Sequence, residues 1–243
     1  MLTVKFRESG LSVKQLIREI VLSHAYQLSS TYDETNFAAD PENALIWRMS
    51  KRRLDAEAIR DAMLAIGGQL DLRPRLGSPI AEYGNGPIGL FKQYPDAGVP
   101  EDVLVEAGSR TTVRSVYLPI ARELLPDALA VFDFAEPGFV AGSRETTNVP
   151  SQAFYMLNSP FIASAAQKFA ERVIAAYPTS TSNDAQRVKL AYGLVFSRSP
   201  SEAEQQAATD FFAKFPNNTA ATTTAWTSFC RALFASAEFR FHN

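Results

Sequence analysis

The chain has 243 residues, of which 46% are hydrophobic and 21% charged, and its formal net charge is −2. This composition is typical of a globular protein, and the length suffices for one large domain or two small ones. The slightly acidic balance gives no overall attraction to nucleic acid or to an anionic membrane surface, and no stretch reaches the ~18 apolar residues of a membrane span.

A single cysteine, Cys230, and two histidines, His24 and His242, limit the chemistry of the chain. They exclude an internal disulfide, a cysteine-rich metal site and haem attachment through a Cys-x-x-Cys-His motif, so we expect no metal and no cofactor in this chain. The first ten residues lack the apolar core of a signal peptide. The protein is therefore expected to be cytosolic, or a piece whose export signal lies upstream.

Residues 1–70 are predicted to be helical. Ser12 and Gln15 form a capping-box pattern at the start of the clearest helix. His24 falls on the apolar side of this helix and is predicted to be a core histidine rather than a ligand. The apolar side has helical spacing and consists of Val13, Leu16, Ile17, Ile20 and Val21.

A run of cations precedes a second predicted helix, for which Asp55 is the candidate N-cap. Such a run could contact phosphates, but Asp55, Glu57 and Asp61 follow at once, and no aromatic residues are interleaved. The sequence therefore favours an ion network between arginines and carboxylates over nucleic-acid binding. The cations are Arg48, Lys51, Arg52 and Arg53.

Residues 71–150 are predicted to form a loop-rich insert with short strands. Proline and glycine are concentrated in residues 71–108, which predicts a long loop. The β-branched and aromatic residues at 111–119 and 129–134 predict two short extended segments.

Residues 151–243 return to helical patterns. Ser201 and Glu204 form a second capping box. Residues 216–224 are predicted to be a polar link before the last helix, on which Cys230 is expected to be a buried small hydrophobe. The chain as a whole is thus predicted to be mainly α, a single multi-helix domain over 1–243 with a minor, short-stranded insert.

Two groups of polar residues are candidates for chemistry. Four carboxylates, Glu123, Asp127, Asp133 and Glu136, lie near the extended segments and could serve acid–base work on a glycosidic bond, although such residues are normally solvated. A second group, Arg144, Thr146, Thr147 and Gln152, comes at the start of a predicted helix. These side chains could bind an anion there or could simply cap the helix.

A set of ordered motifs resembles a known family, the planctomycete-specific C-terminal domain of unknown function, which occurs in large proteins linked to cytochrome c. The resemblance runs from about residue 6 to nearly the end of the chain. The usual arginine- and tryptophan-containing segment before the first helix is missing, so the chain resembles a truncated member or a fragment. The motifs are Ser23 to Ser30, Asp40-Pro-Glu-Asn43, Trp47-Arg48, Arg52 to Asp61, Arg114 to Pro119, Phe132-Asp133-Phe134, Arg144 to Asn158, and Leu233 to Phe239.

The resemblance implies an extracytoplasmic, periplasmic parent protein and, as partner, a cytochrome-type or N-terminal domain of that same longer protein. The family supplies no catalytic residues, so whether the chain is an enzyme stays open. We expect a non-catalytic accessory module that binds a partner, or an anionic ligand such as a polysaccharide. The candidate ligand-binding residues are Arg52, Arg53, Asp55, Arg114, Asp133, Arg144, Thr146, Thr147 and Gln152.

Two alternatives stand beside this expectation. One is an enzyme that acts on polysaccharide, with Asp133 or Asp55 as acid–base in an arginine-lined cleft. The other is a pure interaction scaffold, which predicts an exposed apolar surface where the missing N-terminal segment would pack.

Overall fold

The structure, a computed structural model, describes residues 2–75, 77, 110–120, 125–138, 140, 142–178, 184–216 and 218–242. The chain divides into two compact units, the first comprising residues 1–53 and 241–243 and the second residues 54–240. The described part is mainly helical, as predicted, with eleven α-helices and two very short strands. The single domain remains a prediction, and most of the predicted loop over 71–108 lies outside the described residues.

The first unit contains three short helices and a two-residue ribbon. The Ser12 hydroxyl accepts a hydrogen bond from the Gln15 amide at 3.3 Å, which confirms the predicted cap. Strands β1 and β2 pair antiparallel, with Arg52 opposite His242. The elements are α1 (Leu2–Glu8), α2 (Val13–Val21), α3 (Glu34–Ala39), β1 (Arg52–Arg53) and β2 (Phe241–His242).

The apolar side of α2 is not buried, contrary to the prediction for His24. Val13 is 60% exposed and Ile17 is 55% exposed, and His24 is exposed as well. Helix α1 packs beside α2, where Lys5 pairs with Glu19 at 3.2 Å. One neighbouring helix leaves the apolar side of α2 open. The core histidine predicted at position 24 is therefore wrong.

The family motif at 40–48 forms a tight loop held by two side chains. Asp40 accepts hydrogen bonds from the backbone amides of Ala44 and Leu45 at 2.9 and 2.7 Å. Asn43 Oδ1 accepts the backbone amide of Trp47 at 3.0 Å. Short Asp and Asn side chains stabilise turns in this way because they reach backbone groups a few residues on.

The second unit holds eight of the helices. Ser201 and Glu204 exchange both hydrogen bonds of the predicted capping box. No helix in the described ranges is both long and apolar enough to cross a bilayer. The elements are α4 (Ala56–Ile66), a 3-10 helix (Ser115–Tyr117), α5 (Asp127–Ala130), α6 (Pro150–Asn158), α7 (Pro160–Ala176), α8 (Asp184–Phe196), α9 (Glu202–Phe212), α10 (Thr219–Ala235) and α11 (Ala237–Arg240).

The core of the second unit is built on the packing of α7 against α10. Phe169 and Phe234 stack with ring centroids 5.5 Å apart, and both are fully buried. Cys230 is also fully buried, which confirms its predicted role, and this burial raises the pKa of its thiol. Burying several such side chains supplies most of the free energy that holds the helices together.

Three local predictions differ from the structure. Residues 111–119 contain a single bridge, from Val113 to Asp71, followed by the 3-10 helix, rather than a strand. Residues 127–130 form α5 after Pro126, because proline suits the start of a helix. The predicted link 216–224 is largely helical. Asn218 caps α10, and threonine hydroxyls in its first turns donate to carbonyls four residues back.

Candidate functional site

Asp133 is the centre of a small polar cluster in the second unit. Its backbone adopts a positive φ of 59°, which turns the chain directly after α5. Its Oδ2 accepts the Thr147 backbone amide at 2.8 Å, and its Oδ1 accepts the Thr147 hydroxyl at 2.8 Å. The Asp133 carboxylate therefore anchors the segment that leads into α6.

Gln152 completes this cluster from the first turn of α6. Its side chain is fully buried, and its Nε2 lies 3.2 Å from Thr147 Oγ1 and 3.5 Å from Asp133 Oδ2. Its Oε1 has no hydrogen-bond partner within the described ranges. Pro150 occupies the first turn of the helix, where its missing amide hydrogen costs nothing. The Asp133 cluster, Asp133 with Thr147 and Gln152, is thus half-buried, and most of its polar atoms are hydrogen-bonded to one another.

Arg144 and Glu57 form the second part of the site. The guanidinium donates to both carboxylate oxygens of Glu57, at 2.7 and 2.8 Å, in the paired geometry that arginine favours. The Arg144 guanidinium carbon also lies 5.0 Å from the centroid of the Phe134 ring, a cation–π distance. Because Glu57 belongs to the first turn of α4, the pair fixes the loop over 142–149 to that helix.

The charges of this pair stabilise one another. Partial burial raises the pKa of Glu57, but the hydrogen bond from Arg144, a backbone hydrogen bond and the Arg144 charge outweigh it, so the pKa is lowered overall. The Glu57 hydrogen bond raises the pKa of Arg144, against partial burial and with help from the charges of Glu57 and Asp55. The pair is therefore a closed ion pair over the ordinary pH range.

The other predicted residues are placed differently. Asp55 stands at the N-cap of α4, is exposed, and makes no capping hydrogen bond with its side chain. Thr146 is exposed. Arg114 is half exposed, with its Nε 3.9 Å from Asp61 Oδ2. Arg52 and Arg53 form β1 in the first unit. Within the second unit the structure thus joins Asp133, Thr147 and Gln152 in one cluster and pairs Arg144 with Glu57. Asp55, Arg114 and Thr146 lie in the same unit but belong to neither group.

Sequence reasoning missed Arg60, which is almost completely buried. It donates to the Val113 carbonyl at 2.9 Å and to Ser115 Oγ at 3.2 Å, and its neighbour Asp61 accepts the Ser115 amide at 2.8 Å. Burial lowers the pKa of Arg60, and the Asp61 charge partly opposes this effect. The signal was present, because Arg60 stands at helical spacing between buried Ala56 and Leu64.

The described cavities lie away from these residues. In the second unit, a cavity of about 440 Å³ is lined by residues of α8, α9 and α10, including Val188, Phe212 and Trp226. In the first unit, Lys5, Lys14 and other residues of α1 and α2 line an open depression. Neither lining contains a member of the predicted set, and the described residues contain no group of three His, Cys, Asp or Glu side chains that could hold a metal ion.

Comparison with known proteins identifies the family. Residues 1–212 match PSD1, described as a protein of unknown function (DUF1553). The chain belongs to this family. No curated protein and no solved structure matches the chain. Family membership thus covers most of both units and names no reaction, while the motif at 233–239 lies beyond the matched residues. Three residues of the motifs that carry the resemblance, Asp40, Asn43 and Asp133, make hydrogen bonds that hold loops of this chain.

Proposed function

We propose that this chain is a non-catalytic accessory module that binds a protein partner through its first unit. The proposed partner is the cytochrome-type domain of the same longer, extracytoplasmic protein. The choice of partner rests on the family resemblance, and the choice of binding surface rests on the exposed apolar side chains of the first unit.

One observation carries the proposal: the first unit exposes its apolar side chains. None of the hydrophobic residues described between positions 2 and 53 is buried. Exposed apolar surface on this scale is characteristic of protein interfaces, because water contact with it is unfavourable. The exposed residues are Leu2, Val4, Leu11, Val13, Ile17, Ile20, Leu22, Tyr26, Tyr32, Phe37, Leu45 and Ile46.

The polar cluster of the second unit supports a structural role rather than catalysis. The Asp133 carboxylate already accepts hydrogen bonds from Thr147, and Arg144 already holds Glu57 with two hydrogen bonds. An acid–base role for Asp133 would first require breaking its bonds to Thr147. An anionic or polysaccharide ligand at Arg144 would have to displace Glu57. Each alternative therefore requires breaking hydrogen bonds that the folded protein already makes, and this costs free energy.

The test is isothermal titration calorimetry of the full chain against the cytochrome-type domain of its parent protein, produced separately. Ile17→Lys should weaken binding about tenfold or more, because it places a charge in the apolar contact. Leu72→Lys is the matched control, since Leu72 is equally apolar and 70% exposed in the second unit. Arg144→Ala should leave binding unchanged.

Two results would overturn the proposal. One is no measurable binding by wild-type chain that is folded by circular dichroism. The other is binding that is lost in Arg144→Ala and kept in Ile17→Lys, which would return the function to an anionic ligand at the arginines.

A further inference from the structure

Helix α2 carries an open apolar stripe, Val13, Ile17 and Ile20. These residues recur at intervals of four and three, the spacing with which one helix face meets another. Their exposed fractions are 60%, 55% and 37%. All three are β-branched, so their side chains lose little rotamer freedom when a partner covers them.

The two long sides of this stripe differ. On one side lies α1, whose Lys5 neutralises Glu19, the acidic residue of α2. On the other side stand Lys14 and Arg18, which directly follow Val13 and Ile17 and so lie about 100° further around the axis at 3.6 residues per turn. Both are exposed, and neither has an ion pair with any described residue.

The charged residues around the stripe are mostly cations. Residues 2–23 contain four cations, Lys5, Arg7, Lys14 and Arg18, against two acids, Glu8 and Glu19, whereas the whole chain has a net charge of −2. The segment that carries the apolar stripe therefore has a local excess of positive charge. Charges at the edge of an apolar contact select partners of opposite sign.

We infer that α2 docks an amphipathic helix of a protein partner whose apolar face is bordered by acidic residues. The partner's aliphatic side chains pack on Val13, Ile17 and Ile20 alongside α1. Its carboxylates reach Lys14 and Arg18. Recognition of an amphipathic helix by an apolar surface with complementary charges at its edge is a common binding mode. The inference deepens the proposed function, on which it rests for the existence of a protein partner.

The stripe alone would also fit a membrane surface or a second copy of this chain. Against a membrane, α2 has nine residues and lacks the Trp and Phe residues typical of helices that lie in the headgroup region. Against a second copy, two α2 helices would bring the positive edges of both into one contact region. An amphipathic helix with acidic residues at its border offers apolar side chains to the stripe and carboxylates to Lys14 and Arg18.

The experiment uses three synthetic peptides and the full chain. The first peptide is an amphipathic helix with leucines at i, i+3, i+4 and i+7, bordered by glutamates. The second has lysines in place of the glutamates, and the third has serines in place of the leucines. Fluorescence anisotropy with labelled peptides should show binding of the first peptide alone, weakening as salt rises.

Charge reversal gives the sharpest test. The double variant Lys14→Glu, Arg18→Glu should bind the acidic peptide about tenfold more weakly and the lysine peptide about tenfold more tightly. A variant that merely fails to fold cannot gain binding. The matched control is Lys189→Glu, Lys214→Glu, which makes the same charge change at two exposed lysines of the second unit and should leave the preference unchanged.

Three results would overturn the inference. The first is equal binding of the acidic and lysine peptides. The second is tighter binding to phosphatidylglycerol vesicles than to the acidic peptide, lost in Ile17→Lys, which assigns the stripe to a membrane. The third is self-association in sedimentation analysis that Ile17→Lys abolishes, which assigns it to a second copy.

Failure of this inference can be told from failure of the proposed function. If the acidic peptide binds and the cytochrome-type domain does not, the inference stands and the identity of the proposed partner is wrong. If that domain binds through Ile17 without preference for acidic peptides, the proposed function stands and the charge selectivity is wrong.

Discussion

Asp133 is a candidate catalytic acid in the sequence, and in the structure it forms a turn and holds a neighbouring segment. Its short side chain tolerates the positive φ of the turn after α5, and the same side chain holds Thr147 in place. Both tasks shape the chain around the turn after α5.

Substitutions at Asp133 can separate the two tasks. Asp133→Ala and Asp133→Gly both remove the hydrogen bonds to Thr147, which should cost about 1–3 kcal/mol of unfolding free energy. Alanine should be worse than glycine by about 1 kcal/mol, since only glycine adopts a positive φ freely. Urea denaturation measures both values. Equal stability of the two variants would contradict a role for the backbone conformation.

The Glu57–Arg144 pair is the second residue-scale test. Arg144→Ala should lower the free energy of unfolding by about 1 kcal/mol, because it removes a bidentate pair and the contact with Phe134. Lys168→Ala is the control, since its pair with Glu171 is exposed within α7 and should contribute at most a few tenths of a kcal/mol. A larger loss in the control than in Arg144→Ala would refute this ranking.

At the scale of elements, Arg60 joins α4 to the segment over 111–115. Arg60→Lys keeps the charge but cannot reach the Thr111 and Val113 carbonyls and Ser115 together, since an ammonium lacks the planar fork of arginine. We expect a loss of about 2–3 kcal/mol in unfolding free energy. Hydrogen exchange should also quicken at the amides of 112–117. A stable variant with unchanged exchange would show that other contacts hold the segment.

Arg198 similarly joins α9 to α11. Its guanidinium donates to Glu204 at 2.8 Å and to Glu238 at 2.6 and 2.7 Å. The hydrogen bonds from Arg198 are the main reason that the pKa of Glu204 falls from 4.5 to about 2. A carboxyl group with a lowered folded-state pKa stabilises the fold above its unfolded pKa, and this contribution is lost as the pH falls towards the folded value.

The pH dependence of stability should therefore depend on Arg198. In wild type, stability should fall between about pH 5 and pH 2 as Glu204 takes up a proton. In Arg198→Ala this part of the acid profile should flatten, while stability at neutral pH is lower. Thermal melting across that pH range provides the measurement. Parallel profiles for the two proteins would exclude Glu204 as the group responsible.

The helices could be predicted from sequence where local signals agreed. The capping patterns at Ser12 and Ser201 place two helix starts, because capping depends only on neighbouring residues. The full reciprocal box forms at Ser201, and at Ser12 only the hydroxyl of the serine accepts its hydrogen bond. The extended segments at 111–119 and 129–134 could not be predicted correctly, since β-propensity needs a partner strand to become a sheet. Likewise, Glu57 and Arg60 contact residues that lie far from them in the sequence, so residue spacing alone could not predict these contacts.

At the scale of the whole molecule, the two units differ in what they bury. The second unit encloses a dense core around Phe169, Trp226 and Phe234. Among the described residues of the first unit Ser30 alone is buried, and many of the large apolar side chains are exposed. The amphipathic pattern of α2 predicted a buried face, which the structure leaves exposed, because a sequence pattern gives the apolar side of a helix and not the surface that covers it.

Hydrogen–deuterium exchange of the full chain, with and without the proposed partner, a cytochrome-type domain, tests the central claim most directly. We expect slower exchange at the amides of Val13–Val21 when that domain is present, with no change over residues 142–152. Slower exchange over 142–152 with an unchanged α2 would contradict it, because the binding surface would then be the Arg144 loop.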